Sequence, residues 1–281
     1  MKAPEFGYLR ADSMAGAVAA LAAHPEAMLL AGGQSLMAML NMRLAAPSHL
    51  IDISRLAELR GASLSGDVLR LGALTRHADL LASAEVAGAA PMLAKAAAAL
   101  AHPALRNRGT IGGSLALADP AAELPACVLA LDGAIEATGP GGARRIAAAD
   151  FFQGPFETAL APGELLTAVE VPRPADDAIW TYDKLARRNG DYALAGLAVS
   201  GRRSGGKLAD LRIAVFAVAD RPVLCPGAAR ALAGGDIEAA VAALARDLNP
   251  IDQPGCSGAT KLHLAGVLLR RAAAGLEGDA R

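Results

Sequence analysis

Apolar and polar positions follow several different periods along the 281 residues, and the changes of period divide the chain into elements. Asp12-Ser13 opens a stretch through residue 22 whose spacing fits a capped helix. Met28-Leu29-Leu30 is a short apolar run of the buried-strand kind, and residues 36–44 resume with helical spacing, so a compact strand–turn–helix unit is predicted there. Residues 50–53 predict a short strand, and residues 62–72 a hairpin turning at Gly66-Asp67. Residues 77–83 and 91–101 read as helices, the second broken by His102-Pro103. Residues 133–147 predict another hairpin, and residues 164–172 alternate like a strand with a proline stop. Pro172-Arg173-Pro174-Ala175-Asp176-Asp177 is the best linker in the chain. After it come strands at 179–185, around 194–202 and around 208–218, then helices near 228–233, 237–248 and 258–276. Strands followed by helices give an α+β class. The expected divisions are a first lobe at 1–57, a second at 58–175 and a C-terminal domain at 176–281.

Composition narrows the chemistry. A formal charge of −1 offers no basic face for nucleic acid, and no run of about 18 apolar residues suggests a membrane span. The first residues, Met1-Lys2-Ala3-Pro4-Glu5-Phe6, lack the apolar core of a signal peptide, so a soluble, cytoplasmic protein is expected. Cys127, Cys225 and Cys256 form no C-x-x-C pair, which argues against an iron–sulfur cluster or structural zinc on this chain. The five histidines, at 24, 49, 77, 102 and 263, show no metal spacing, and most are expected at the surface or in local hydrogen bonds. No G-x-S-x-G elbow, G-x-G-x-x-G fingerprint or P-loop is present.

Two segments stand out. Ala31-Gly32-Gly33-Gln34-Ser35-Leu36 and Thr110-Ile111-Gly112-Gly113-Ser114-Leu115 each set a glycine pair between apolar residues and follow it with a serine. Such turns can reach φ > 0, approach a ligand closely and offer successive amides to an anion, and two of them suit a diphosphate. The same pattern also serves an ordinary tight turn. The pairs at 141–142 and 205–206 lie in polar surroundings that read as hairpin tips, and the pair at 234–235 ends an alanine-rich helix. Arg106 and Arg108 flank the second segment, either as charge support for a phosphate or as solvated loop residues.

These segments, together with Asn41-Met42-Arg43-Leu44-Ala45-Ala46-Pro47, Arg106-Asn107-Arg108-Gly109, Ala118-Asp119-Pro120-Ala121-Ala122-Glu123-Leu124-Pro125 and Lys184-Leu185-Ala186-Arg187-Arg188-Asn189-Gly190-Asp191-Tyr192-Ala193, resemble the FAD-binding medium subunit of the molybdenum hydroxylases over nearly the full length. That group includes carbon monoxide dehydrogenase and the flavin part of xanthine dehydrogenase. The resemblance implies a two-lobed FAD-binding domain of the PCMH type, then an α+β C-terminal domain with a small antiparallel sheet and helices.

It also implies roles residue by residue. Amides of Ala31, Gly32, Gly33, Gln34, Ser35 and Leu36, with the Ser35 hydroxyl, would hold the diphosphate, and Thr110, Gly113 and Ser114 would complete the cradle. Glu123 would meet a ribose or ribityl hydroxyl, unless it is only a solvated charge at a helix start. Lys184 would place a cation at the flavin, although the sequence by itself favours a surface lysine. Tyr192 would lie over the isoalloxazine, and Leu166 would pack on the cofactor, although either could instead be a core residue. Asp119 and Asp191 read as turn-forming residues. Gln34 departs from the histidine of many relatives, and Ser114 from an asparagine or aspartate. No histidine or cysteine lies within 31–36 or 109–115, so FAD is expected to be non-covalent. No residue is singled out as catalytic or as a metal ligand.

The function so implied is electron transfer. A molybdenum cofactor on a large subunit and two 2Fe-2S clusters on a small subunit would feed electrons to FAD on this chain, which would pass them to an external acceptor. Two three-chain units would form a heterohexamer. The alternatives are a stand-alone FAD-dependent oxidase and a flavin-free scaffold subunit. The substrate of the complex and the acceptor are not encoded in this chain.

Overall fold

The computed structural model describes residues 2–278. Three main sheets, each with its own helices, follow one another along the chain, and a two-stranded fourth is inserted within the second. The first is built from β1 (Gly7–Arg10), α1 (Met14–Ala23), β2 (Met28–Leu30), α2 (Leu36–Asn41) and β3 (His49–Asp52), with strand order β1-β3-β2, both pairings parallel. Ser13 caps α1 as its sequence predicts, its hydroxyl accepting from the Gly16 amide at 3.0 Å. Helix α2 is shorter than expected, because Arg43 turns into the left-handed region at φ 57°.

The second sheet is antiparallel, in order β4-β5-β10-β6-β7. Its hairpin β4 (Ala62–Ser65) and β5 (Val68–Gly72) leads into five short helices: α3 (His77–Ala82), α4 (Ala84–Ala89), α5 (Pro91–Ala99), α6 (Pro103–Arg106) and α7 (Ile111–Leu117). Then come α8 (Glu123–Ala130), the hairpin β6 (Ala134–Gly139) and β7 (Gly142–Ala147), α9 (Ala148–Phe151), the small pair β8 (Phe152–Gly154) and β9 (Glu157–Thr158), and the central strand β10 (Leu165–Pro172). Every residue of α8 is buried, so it carries none of the one-sided patterning by which a surface helix is read.

The third sheet joins β11 (Ala178–Ala186), β12 (Ala193–Ser204), β13 (Lys207–Phe216) and β14 (Val223–Leu224) in sequential antiparallel order. Its two faces serve two cores. Ala195, Leu197, Val199, Ile213 and Val215 pack with α10 (Pro226–Ala233), α11 (Ile237–Asp247) and α12 (Gly258–Gly278). Tyr182, Ala198, Ala214 and Phe216 point the other way and join the core around α5 and α8. The contact is also polar, since the Ser200 hydroxyl donates to the Ala130 carbonyl at 2.5 Å and Arg212 to that of Leu129 at 3.1 Å. These two side chains satisfy carbonyls left without intrahelical partners at the C-terminal end of α8. No helix among the described residues is long and apolar enough to cross a membrane.

Candidate functional site

A cavity of about 640 Å³ opens where the three sheets' connecting segments converge, within the roughly 300–1,000 Å³ typical of cofactor sites. Ala31, Gly32, Gly33, Gln34, Ser35, Leu36, Thr110, Gly113, Ser114, Glu123, Leu166 and Tyr192 all line it. Of the residues the resemblance places at the cofactor, Lys184 alone is missing from its wall, and the flanking Arg106 and Arg108 are not part of it either.

The two glycine segments are not equivalent. Gly33 takes a φ of 73°, as a tight turn needs. The amides of Gly33, Gln34, Ser35 and Leu36 find no acceptor among the described residues, and the Ser35 hydroxyl makes no capping bond. The second segment is not a turn but the first turn of α7. There the Ile111 amide donates to Thr75 and the Gly112 amide to Ala73, each at 2.9 Å, while Gly113 donates to the Thr110 hydroxyl at 3.1 Å. Backbone donors are therefore available in the first segment and already used in the second, which contributes the Thr110 and Ser114 side chains instead. The helix was illegible because glycine disfavours helix and the packing that overrides this is remote: a Cβ on Gly112 would stand 2.6 Å from that of Ala73.

Gly32 has a different reason to be glycine. A Cβ there would lie 2.2 Å from the Arg108 carbonyl oxygen, so the two segments meet backbone to backbone. The flanking arginines divide their work in a way the sequence does not reveal. Arg106 donates to the carbonyls of Leu100 and Ala101, at 2.9 and 3.2 Å, and so fixes the break after α5, where Ala101 sits at φ 43°. Arg108 faces a second, smaller pocket of about 220 Å³ on the other side of Ala31 and Gly32, together with Arg55, Arg60 and Arg76.

Glu123 and Lys184, expected as a solvated charge and a surface cation on the sequence's own terms, are instead both buried and paired. Lys184 Nζ donates to Glu123 Oε1 at 2.7 Å and to the Asp191 carbonyl at 3.1 Å. Burial raises the Glu123 pKa, and the Lys184 charge opposes that rise. Asp119, also on the cavity wall, has its pKa raised by burial. Its carboxylate accepts from the Ala121 amide at 2.9 Å, the turn-forming role read from the sequence. Leu166 is buried on β10, whereas Tyr192 is 72% exposed and stands at the cavity edge.

His77 is a wall residue that sequence reasoning missed. It is neither at the surface nor locally bonded: the side chain is buried, and burial pushes its pKa down to about 4 against the pull of the Thr110 backbone. Nothing in the spacing of the five histidines distinguishes it. Cys127, Cys225 and Cys256 are buried free thiols, and no group of three or more potential metal-binding side chains occurs among the described residues.

The donor set fits a dinucleotide such as FAD: unpartnered amides, the Ser35, Thr110 and Ser114 hydroxyls, a carboxylate and an aromatic around a cavity of suitable size. Comparison with known proteins agrees. Residues 4–174 match the FAD binding domain in molybdopterin dehydrogenase, and residues 180–276 the CO dehydrogenase flavoprotein C-terminal domain. The chain is 40% identical, over 89% of its length and 87% of the relative's, to the 6-hydroxypseudooxynicotine dehydrogenase complex subunit alpha of Paenarthrobacter nicotinovorans. It is 39% identical to the carbon monoxide dehydrogenase medium chain of Afipia carboxidovorans, over 95% of both. A reconstituted CO dehydrogenase from Oligotropha carboxidovorans contains a chain that superimposes with a TM-score of 0.96, at 37% identity and full coverage of both chains. With two matched domains in the same order and relatives of this identity along nearly the whole length, the chain belongs to the family of FAD-binding medium subunits of the molybdenum hydroxylases.

Proposed function

We propose that this chain is the FAD-carrying electron-transfer subunit of a multi-subunit molybdenum hydroxylase. Bound FAD supplies a centre that accepts electrons from one-electron donors and releases them to a two-electron or one-electron acceptor. The donors are 2Fe-2S clusters on a small partner subunit, fed by a molybdenum cofactor on a large one, and two such three-chain units make a heterohexamer. The observation that carries the reading is the convergence of both glycine segments, Glu123 and Tyr192 on one cavity.

The chain's own residues bind and orient. The amides of residues 31–36 and the Ser35 hydroxyl hold the diphosphate, and Thr110, Ser114 and the Gly113 position close the cradle from α7. Glu123 accepts from a sugar-alcohol hydroxyl, Leu166 packs on the cofactor, and Tyr192 covers one side of the ring. Lys184 acts through Glu123 and the Asp191 carbonyl, because its ammonium is already engaged there. FAD is held without a covalent bond. The functional divisions fall at 57/58 and 175/176, and the complex works in the cytoplasm.

Purification with any co-purifying chains, an absorption spectrum and acid release of flavin test the reading. About one releasable FAD per chain, with iron–sulfur absorption only when smaller chains are present, supports it. No flavin, or flavin that resists acid, overturns it.

A further inference from the structure

His77 is 6% exposed at the first position of α3, and neither Nδ1 nor Nε2 has a hydrogen-bond partner among the described residues. Buried side-chain nitrogens are satisfied in the large majority of cases, so each exception asks for a role or a missing partner. The ring lines the 640 Å³ cavity. Its position is fixed from behind: the His77 amide donates to the Gly109 carbonyl at 2.9 Å, and a Cβ on Gly109 would stand 2.9 Å from the ring's Cε1. The Thr110 backbone pulls on the ring, but neither nitrogen meets it in hydrogen-bond geometry.

A neutral imidazole offers one donor and one acceptor. Phosphate oxygens accept, and sugar-alcohol hydroxyls both donate and accept, so the oxygen-rich chain of a dinucleotide can satisfy it. Thr110, which lines the same cavity beside Gly109, adds a hydroxyl of the same use. We propose that His77 is a positioning residue that completes its hydrogen bonding with an oxygen of the diphosphate or sugar-alcohol part of FAD. The inference rests on the reading of the cavity as the FAD site.

The test titrates the full-length apo chain with FAD, following flavin fluorescence, for the wild type, His77→Leu and His77→Gln. His77→Leu weakens binding at least tenfold while raising the Tm of the apo chain, and His77→Gln, which keeps a donor and an acceptor, stays within a few-fold of the wild type. In addition, the ring-nitrogen NMR resonance that disappears in His77→Gln shifts when the wild type takes up FAD. If His77→Leu fails to fold, that shift decides by itself. Wild-type binding with His77→Leu within twofold, or an unmoved resonance, overturns the inference alone. A wild type that takes up no FAD overturns the cavity reading and the inference with it.

Discussion

Lys184 Nζ and Glu123 Oε1 stand 2.7 Å apart, with side chains only 8% and 9% exposed, and the pair ties the start of α8 to the Asp191 carbonyl. Removing one member of a buried pair strands the other charge, which costs about 3–5 kcal/mol, whereas replacing both with apolar groups is often near neutral. Lys184→Met is therefore expected to destabilise the chain by about 3–5 kcal/mol in urea unfolding, and Glu123→Leu combined with Lys184→Met to recover most of it. If the pair does not hold the loop, the single and double variants unfold alike.

Gly32→Ala forces a Cβ onto the Arg108 carbonyl, which stands where that atom would be, at 2.2 Å. Backbone on both sides leaves no cheap relaxation, so both stability and FAD retention are expected to fall, the former by at least about 2 kcal/mol. Arg108→Ala keeps the carbonyl and is expected to leave both nearly unchanged. Equal effects of the two substitutions would show that the guanidinium, not the backbone contact, matters.

Thr110 and Ser114 separate capping from binding. Thr110→Val removes the acceptor for the Gly113 amide and is expected to cost about 1 kcal/mol of stability as well as FAD affinity. Ser114→Ala is expected to leave the unfolding midpoint in place and weaken FAD binding several-fold. A stability loss from Ser114→Ala matching that of Thr110→Val would refute this division.

The pH dependence of the apo chain reports on His77. Its pKa is about 4 when folded, against an ordinary 6.5, so between those values the unfolded chain holds a proton that the folded chain does not. Stability is then highest above pH 6.5 and declines as the pH falls toward 4, by up to roughly 3 kcal/mol from this group. His77→Gln is expected to flatten that limb in urea unfolding measured from pH 7 to 4.5, and an unchanged slope would assign the loss to other groups.

Elements with a strong local signal were readable from the residues. The Ser13 cap, the Gly66 and Gly205-Gly206 hairpin tips and the alanine-rich C-terminal helices all express their structure within a few neighbours, and β10 forms where the strand was expected, although residues 165–169 are all buried rather than alternating. What escaped depends on partners distant in sequence. Helix α8 is buried on all sides, α7 begins on a glycine pair held against Ala73, and Lys184 looks solvated until β11 brings it to Glu123. The cavity's membership was legible through the family resemblance, but not the inequality of its two glycine segments, which only the hydrogen bonding reveals.

Gly32 is seated directly on the Arg108 carbonyl. At this seam the frame around the cavity closes backbone against backbone, so its spacing is set by the chain itself. Loss of the cofactor would leave an empty but standing mould, so a stripped chain should recharge by simple soaking, without passing through the unfolded state.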